Sequence, residues 1–267
     1  MKASSFRIPP NGITSIDDYT FYYTAIESII LPDSITSIGR KAFEHCESLK
    51  NIKMPSELLK IGSDAFRDCI SLESIEIPDG VESIENIFEH CSVKEISIGK
   101  SFKSFSALPS CKEKYIVDAD NPYYCSINGS LYNKEVTELL SVPTDITGNF
   151  EILSGILKIH DRAFLGCQNI TEIKFPDTVS EIGNYAFSSC IALNSIIIPD
   201  SVTGIGIGAF QNCDSLKTVI LSKNIKELKN TLFDSCINLK NIEIPNSVET
   251  IEYFAFSGCS SLESITF

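Results

Sequence analysis

No stretch of the 267-residue sequence approaches the roughly 20 consecutive apolar residues that a membrane-spanning helix requires. The first residues, MKASSFRIPPNGITSIDDYT, also lack the apolar segment of a secretory signal peptide. Basic residues are few, since 22 Lys and Arg stand against 35 Asp and Glu, and no local basic stripe is present. The formal charge of −13 therefore argues against a nucleic acid or an anionic membrane surface as the partner.

Residues that would form a familiar catalytic motif are also scarce. The sequence has three His (His45, His90 and His160), and none lies in a P-loop, nucleophile-elbow or zincin motif. The segment from Gly204 to Gly208, GIGIG, lacks the Lys-Ser/Thr continuation of a phosphate loop. We therefore predict that the protein is not an enzyme and binds no cofactor. An enzyme would need a site that no motif marks, and Cys125 is the candidate centre for one.

Cysteine, in contrast, is abundant, and the ten Cys are periodic. Residues 173–195 read IKFPDTVSEIGNYAFSSCIALNS, and residues 196–218 read IIIPDSVTGIGIGAFQNCDSLKT. Further copies of this 23-residue unit lie at 29–51, 52–74, 219–241 and 242–264, with a shortened copy at 75–95 and looser copies at about 6–28 and 150–172. A fixed period of this length predicts a solenoid, because each unit can bury its apolar face only against its neighbours.

Each unit has an interpretable order of structural signals. Alternating apolar residues such as Ile196 and Ile198 predict a short strand, which Pro199 ends because proline offers no N–H group to a neighbouring strand. The following Ala-Phe-x-x-Cys-x-x-Leu has a spacing of three, which favours a helical or 3-10 turn. The residues predicted to point inward in each coil are therefore Ile, Ile, Val, Ile, Ala, Phe, Cys and Leu.

Eight of the cysteines occupy one position, three residues after the Phe of the unit: Cys46, Cys69, Cys91, Cys167, Cys190, Cys213, Cys236 and Cys259. Cys111 fills that position in a degenerate coil, whereas Cys125 lies in the interruption between the two repeat arrays. One equivalent thiol per coil indicates a ladder of small buried side chains, because a solenoid already has a core and needs no disulfide framework.

Metal binding is the alternative role for the part of this ladder around Cys46 and Cys91. Glu-His-Cys occurs at 44–46 and at 89–91, so His45 and His90 share one repeat position. The coil between them has Asp68 at that position. Because adjacent residues of a helical turn diverge by about 100°, His45 and Cys46 do not point at one ion, and we predict no metal site.

The unit Ile-x-Ile-Pro-x-Ser-Val-Thr-x-Ile-Gly-x-x-Ala-Phe-x-x-Cys-x-x-Leu-x-x resembles the BspA-type (Treponema pallidum-type) leucine-rich repeat. The interruption, KEKYIVDADNPYYCSINGSLYNKEVTELLSVP, resembles the recurrent insert of that family, and Asn128-Gly129 within it is a strong signal for a two-residue hairpin turn. The resemblance implies an α/β leucine-rich-repeat solenoid shaped as a curved horseshoe. It would have short parallel strands on the concave face, short helical or 3-10 turns and extended segments elsewhere, and about a dozen coils.

We predict one solenoid domain over residues 1–267. Its regular repeats cover about 6–111 and 150–267, and an enlarged coil with a β-hairpin covers about 112–149. The repeats begin at residue 6 and stop at Phe267 without a polar capping unit, which predicts either end-to-end self-association or membership of a longer chain.

Binding residues are expected at the repeat positions that vary between coils. On the strand face, the position between the two Ile residues gives Lys53, Glu76, Lys174, Ile197, Ile220 and Glu243. Ile197 and Ile220 fall in consecutive units, so they predict a small exposed apolar patch with charged neighbours, which is typical of a protein interface. The tyrosines of the insert, Tyr123, Tyr124 and Tyr132, are the second candidate surface.

The family resemblance implies a microbial surface or secreted protein that binds host extracellular or cell-surface proteins in adhesion. The alternative is an intracellular scaffold or regulatory protein, which the reduced thiols and the missing signal segment suit equally well. A cell-surface and a cytoplasmic location therefore both stay open at this point. In either case the predicted partner is a protein.

Overall fold

The computed structural model describes residues 5–8, 12–105 and 109–267. Residues 9–11 of the first looser copy and residues 106–108 ahead of Cys111 lie outside the described residues.

The chain divides into two compact units, Met1–Gly129 (unit 1) and Ser130–Phe267 (unit 2). Each unit is a parallel-strand β-solenoid, and the chain has about 11 turns with a period of ~23 residues. The predicted repeat period is thereby confirmed. The division falls inside the insert, and a single solenoid domain over residues 1–267 stays a prediction.

The first strand of each turn begins at the start of the repeat and pairs in parallel with its counterpart in at least one neighbouring turn. In unit 1 these strands are β1 (Ser5–Arg7), β3 (Ser28–Ile30), β5 (Asn51–Lys53), β7 (Ser74–Ile77), β9 (Glu95–Ile98) and β11 (Lys114–Val117). In unit 2 they are β15 (Thr147–Glu151), β17 (Asn169–Lys174), β19 (Ser195–Ile197), β21 (Thr218–Ile220), β23 (Asn241–Glu243) and β25 (Ser264–Thr266). We call the outer side of these strands the strand face.

A second, two-residue strand follows in each regular turn, and sequence analysis did not predict it. In unit 1 these strands are β2 (Ser15–Ile16), β4 (Ser37–Ile38), β6 (Lys60–Ile61), β8 (Ser83–Ile84) and β10 (Ser104–Phe105). In unit 2 they are β16 (Lys158–Ile159), β18 (Glu181–Ile182), β20 (Gly204–Ile205), β22 (Glu227–Leu228) and β24 (Thr250–Ile251). These strands also pair in parallel, so two ladders run along the turns of each unit. The ladder of first strands is interrupted between β5 and β7, between β17 and β19 and between β21 and β23, and the second ladder is interrupted between β6 and β8 and between β20 and β22.

The insert contributes three further strands, β12 (Tyr124–Ile127), β13 (Ser130–Asn133) and β14 (Glu138–Ser141). Asn128 and Gly129 have φ angles of 50° and 80°, as the two central residues of a type I′ turn require, so the predicted turn is present. Within unit 2, β13 pairs antiparallel with β14, and β14 pairs in parallel with β16. The insert therefore continues the second ladder of unit 2.

The core of each turn consists of the predicted inward residues. In the turn that starts at residue 196 the buried side chains are Ile196, Ile198, Val202, Ile205, Ala209, Phe210, Cys213 and Leu216. The Phe rings of successive turns stack nearly in parallel, with centroids 5.2 Å apart for Phe187 and Phe210 and 5.6 Å apart for Phe210 and Phe233. The aromatic position is therefore a continuous column inside each unit.

The predicted helical turn at Ala-Phe-x-x-Cys is wrong. The described residues contain no helix, and consequently no helix with the length and hydrophobicity needed to cross a bilayer. Instead, alternate N–H groups of this segment donate to carbonyl oxygens of the following turn: Tyr185 to Ile207, Phe187 to Ala209, and Ser189 to Gln211, each over 2.8 Å. The N–H groups between them make local bonds three residues back, as Ser188 does to Tyr185 and Cys190 to Phe187, so single turns alternate with cross-turn bonds and no continuous helix forms.

This arrangement places non-glycine residues in the left-handed region. Tyr185 and Ser189 have φ angles of 54° and 61°, and the equivalent residues of other turns behave in the same way. Such a conformation costs about 1–2 kcal/mol for an ordinary residue. Since the same two repeat positions adopt it in turn after turn, the cross-turn hydrogen bonds offset that cost.

The close spacing of successive turns explains why residue 206 is a glycine. A Cβ atom on Gly206 would lie 2.5 Å from the backbone nitrogen of Asn184 in the preceding turn, whereas a Cβ atom on Gly204 would meet nothing within 4 Å. Gly206 therefore lets two turns approach closely directly after β20, and Gly204 does not serve this purpose.

Candidate binding surfaces

The strand face of unit 2 carries an exposed apolar pair. Ile197 and Ile220 are register partners in the parallel strands β19 and β21, and their exposed fractions are 62% and 52%. The preceding residue of each strand, Ile196 or Val219, is buried, because successive strand residues point to opposite faces. Two large aliphatic side chains therefore lie side by side on a surface that is otherwise polar.

Charged residues occupy the same repeat position in other turns. Lys174 ends β17 and Glu243 ends β23 in unit 2, whereas Lys53 ends β5 and Glu76 lies in β7 of unit 1. All four are exposed, and none makes an ion pair with any residue in the described part of the chain. Their charges are therefore available to a partner without the loss of an existing salt bridge.

The three insert tyrosines do not form one exposed surface. Tyr123 is 45% exposed, while Tyr124 is half-buried, with its hydroxyl donating to the carbonyl oxygen of Lys103 over 3.0 Å. Tyr132 is only 2% exposed, so its predicted place on the surface is wrong. The reason is a register irregularity between Leu131 and Tyr132, because a bulge breaks the in-and-out alternation and buries both side chains.

The cysteine ladder faces inward and has a specific hydrogen-bonding role. The Sγ of Cys213 donates to the carbonyl oxygen of Phe187 in the preceding turn over 3.2 Å, and that oxygen also accepts the N–H of Cys190. Burial raises the pKa of the Cys91, Cys167 and Cys259 thiols to about 12. These thiols are therefore protonated at neutral pH and are poor nucleophiles and poor metal ligands.

Sequence analysis missed an aromatic cluster in unit 1. Tyr19, Tyr22 and Tyr23 are all exposed, and their rings meet edge to face, with centroids 5.6 Å apart for Tyr19 and Tyr22 and 4.7 Å apart for Tyr22 and Tyr23. The Arg40 guanidinium lies 5.3 Å from the Tyr19 ring centre and donates to its hydroxyl over 2.6 Å. This cluster could have been found in the sequence, because Tyr19, Tyr22 and Tyr23 occupy the repeat positions that carry Lys41, Glu44 and His45 in the next turn.

A second group joins three successive turns of unit 1, at the repeat position that sequence analysis considered for a metal ion and predicted to hold none. Asp68 lies between two imidazoles, with its Oδ1 at 3.0 Å from Nδ1 of His90 and its Oδ2 at 3.8 Å from Nε2 of His45. The buried carboxylate of Glu44 is adjacent, so single ligand atoms of Glu44, His45 and Asp68 all lie within 4.8 Å of one another. The shared repeat position of His45, Asp68 and His90 was the signal for this cluster.

The repeat family is identified by comparison with known proteins. The family model for the BspA type leucine rich repeat region matches residues 2–110 and 146–267, in six copies. No curated protein sequence matches the chain at a significant level.

Solved structures show the same fold. A leucine-rich repeat protein from Eubacterium ventriosum is 31% identical with a TM-score of 0.86, and the match covers 99% of this chain and 72% of that one. A leucine rich cell surface protein from Faecalibacterium prausnitzii is 26% identical with a TM-score of 0.56, over 98% of this chain and 80% of that one. The pneumococcal vaccine antigen PcpA is similar in fold alone, at 19% identity and a TM-score of 0.58 over 91% of this chain and 67% of that one. With its repeats, its core and these matches in agreement, the chain belongs to the BspA-type leucine-rich repeat family.

Proposed function

We propose that this chain is a non-enzymatic protein-binding module that presents its strand face to a protein partner, as a microbial surface or secreted adhesin or antigen. The observation that carries the proposal is the exposed, register-paired Ile197 and Ile220 on the strand face. An apolar patch of this kind among polar neighbours is a recognisable interface feature.

The charged residues of the strand face support the same proposal. Each unit has both signs of charge at this repeat position, Lys53 and Glu76 in unit 1 and Lys174 and Glu243 in unit 2, so these residues would select a partner through complementary charge more than through added affinity. Among the three candidate tyrosines of the insert, Tyr123 is the exposed one, so it is the one that would contact a partner from unit 1.

The extracellular location in this proposal draws on one related structure. The Faecalibacterium prausnitzii protein, which is 26% identical over 98% of this chain, is described as a leucine rich cell surface protein. Repeat proteins of this class generally bind other proteins through such extended surfaces.

The test compares binding of the full chain with that of the variant Ile197→Glu/Ile220→Glu. Glu243 occupies the same repeat position, so the fold already accepts Glu there. Surface plasmon resonance measures binding to two panels, one of purified extracellular host proteins and one of purified cytosolic proteins. Burying the remaining exposed surface of two half-exposed Ile side chains contributes about 2 kcal/mol, so the double variant is expected to bind roughly 30-fold more weakly.

The matched control is Ile237→Glu. Ile237 is also exposed, but it follows the ladder cysteine and lies away from the strands, and Glu47 occupies the equivalent position in unit 1. Loss of binding to an extracellular protein in the double variant, with retention in the control, supports the proposal. Equal binding by both variants removes the strand face as the interface, and binding confined to cytosolic proteins favours the intracellular scaffold instead.

A further inference from the structure

We propose that Glu44, His45 and Asp68 of unit 1 form a binding site for a divalent transition-metal ion of the Zn²⁺ type, and that His90 is a positioning residue for Asp68. The site is separate from the strand face, because its residues lie in the Ala-Phe-x-x-Cys segments of successive turns. The proposal does not depend on the proposed function.

The first argument is the chemistry of the three side chains. One imidazole and two carboxylates are ligands that Zn²⁺ and similar ions take in proteins, at bond lengths of about 2.0–2.2 Å. Two such ligands on one ion lie roughly 3–4 Å apart, and the 3.8 Å between Nε2 of His45 and Oδ2 of Asp68 falls in this range. Single ligand atoms of Glu44, His45 and Asp68 lie within 4.8 Å of one another, so the Glu44 carboxylate is the third ligand of the proposed site.

The second argument is that Asp68 is already oriented. Its Oδ1 is held by Nδ1 of His90 at 3.0 Å, which leaves Oδ2 facing His45. Hydrogen bonds of this kind to a metal-binding carboxylate orient the ligand and strengthen metal binding. The His45 ring is fixed in turn by stacking on Tyr23, with centroids 4.2 Å apart and planes 20° apart.

The third argument is that the backbone under the site is fixed. His45, Asp68 and His90 all have left-handed φ angles, between 57° and 60°. The N–H of His45 donates to Arg67 and the N–H of Asp68 donates to Glu89, each over 2.9 Å. The spacing between the turns that supply the ligands is therefore set by the solenoid itself and not by a loop.

Two neighbouring cations compete with a metal ion, but they do not exclude one. Lys41 pairs with Glu44 over 3.0 Å, and Arg67 lies 3.4 Å from Asp68. The buried Nε of Arg67 makes no hydrogen bond within the described residues and lies 3.4 Å from Asp68 and 3.8 Å from Glu44, so a metal ion must displace this group from the two carboxylates. With Glu89 included, three carboxylates face these two cations, and the local charge of −1 favours a further cation.

The experiment titrates the full-length chain with Zn²⁺ by isothermal titration calorimetry and follows Co²⁺ binding by X-ray absorption. The ligand variants are His45→Asn and Asp68→Asn. Asn212 occupies this repeat position in unit 2 with a φ angle of 58°, so the fold accepts Asn there. His160→Asn, which changes the third histidine, is the matched control, and circular dichroism of each variant verifies folding.

The expected result is one Zn²⁺ per chain, with affinity lowered at least tenfold in His45→Asn and in Asp68→Asn and unchanged in His160→Asn. The variant His90→Asn is expected to bind about tenfold more weakly, since outer-shell partners of metal ligands typically contribute this much. The absorption spectrum should show nitrogen and oxygen ligands only. No saturable binding, equal binding by His45→Asn, or sulfur in the coordination shell would overturn the proposal.

Discussion

Replacing Phe210 by Leu removes the middle ring from a stack of five, Phe164 to Phe256, and keeps a large aliphatic side chain in its place. The Phe210 ring lies within 3° of parallel to Phe187 and within 10° of parallel to Phe233, and all three rings are fully buried. Each stacked pair contributes about 0.5–1.5 kcal/mol beyond the area that it buries. We therefore expect the substitution to lower the free energy of unfolding by about 1–3 kcal/mol.

The same geometry predicts which rings are energetically coupled. In a solenoid each turn contacts only its neighbours, so Phe187→Leu and Phe210→Leu should be non-additive by about 0.5–1.5 kcal/mol. Phe187→Leu and Phe233→Leu, with one ring between them, should be additive within about 0.5 kcal/mol. The Phe187/Phe233 pair is thus the internal control for the adjacent Phe187/Phe210 pair.

Equilibrium urea unfolding of the single and double variants measures these terms. Because the sequence has nine Tyr and no Trp, far-ultraviolet circular dichroism and tyrosine fluorescence are the suitable probes, and the two transitions should coincide for a two-state analysis. Hydrogen exchange followed by mass spectrometry then locates the loosened turns. Equal coupling for the adjacent and the separated pairs, or a cost below 0.5 kcal/mol for Phe210→Leu, would refute the stacking argument.

Two further predictions concern the ladder thiols and the close approach of turns. Burial raises the pKa of Cys167 to about 12, so the free energy of unfolding by urea should fall as the pH rises above about 8.5, the pKa of an exposed thiol, and should fall less in Cys167→Ala; the same pH dependence in both proteins would contradict this. Gly206→Ala should cost about 1–3 kcal/mol by urea unfolding, because its Cβ meets the backbone of Asn184, whereas Gly204→Ala should change stability by less than about 0.5 kcal/mol. Equal costs for the two glycines would show that turn spacing is not the constraint.

The sequence was sufficient to predict the core, because alternation and repeat position are local signals. Ile196 and Ile198, with one residue between them, are both buried, and Phe210 and Cys213 are buried as their strict repeat positions require. The exposed pair Ile197 and Ile220 follows from the same alternation. Once the repeat unit is recognised, the repeat position of a residue therefore predicts whether its side chain is buried in the core or exposed.

The predicted helical turn was wrong for a reason that lies outside the local pattern. A spacing of three is compatible with a helix, but the N–H groups of Tyr185, Phe187 and Ser189 bond to the next turn instead. Nothing in the residue types of Tyr185 or Ser189 favours a left-handed φ angle, so only the adjacent turn could reveal it.

The candidate sites show the same limit. Tyr132 was expected on the surface, but a register irregularity in β13, which sequence alternation does not show, turns its ring inward. His45, Asp68 and His90 could be assigned to one repeat position, yet their side chains meet because the left-handed backbone of three successive turns directs them along the stack. Distances between turns are a tertiary property that the period alone does not provide.

The cross-turn hydrogen bonds of the Ala-Phe-x-x-Cys segments also give this part of each turn a local electrical polarity. Three peptide groups per turn point the same way, with N–H toward the following turn and C=O toward the preceding one, as at Gly208, Phe210 and Asn212. Each peptide group carries a dipole of about 3.5 D, and aligned dipoles add, whereas those of paired strands largely cancel. In this segment the positive end of each dipole therefore faces the later turns, which is the reverse of an α-helix. N–H groups elsewhere in the same turn, as at Thr203 and Gly206, point to the preceding turn and offset it. Each added repeat therefore lengthens a column of aligned peptide groups within the segment and leaves opposed columns beside it, so the polarity is felt by a charge close to the segment and not at a distance from the unit.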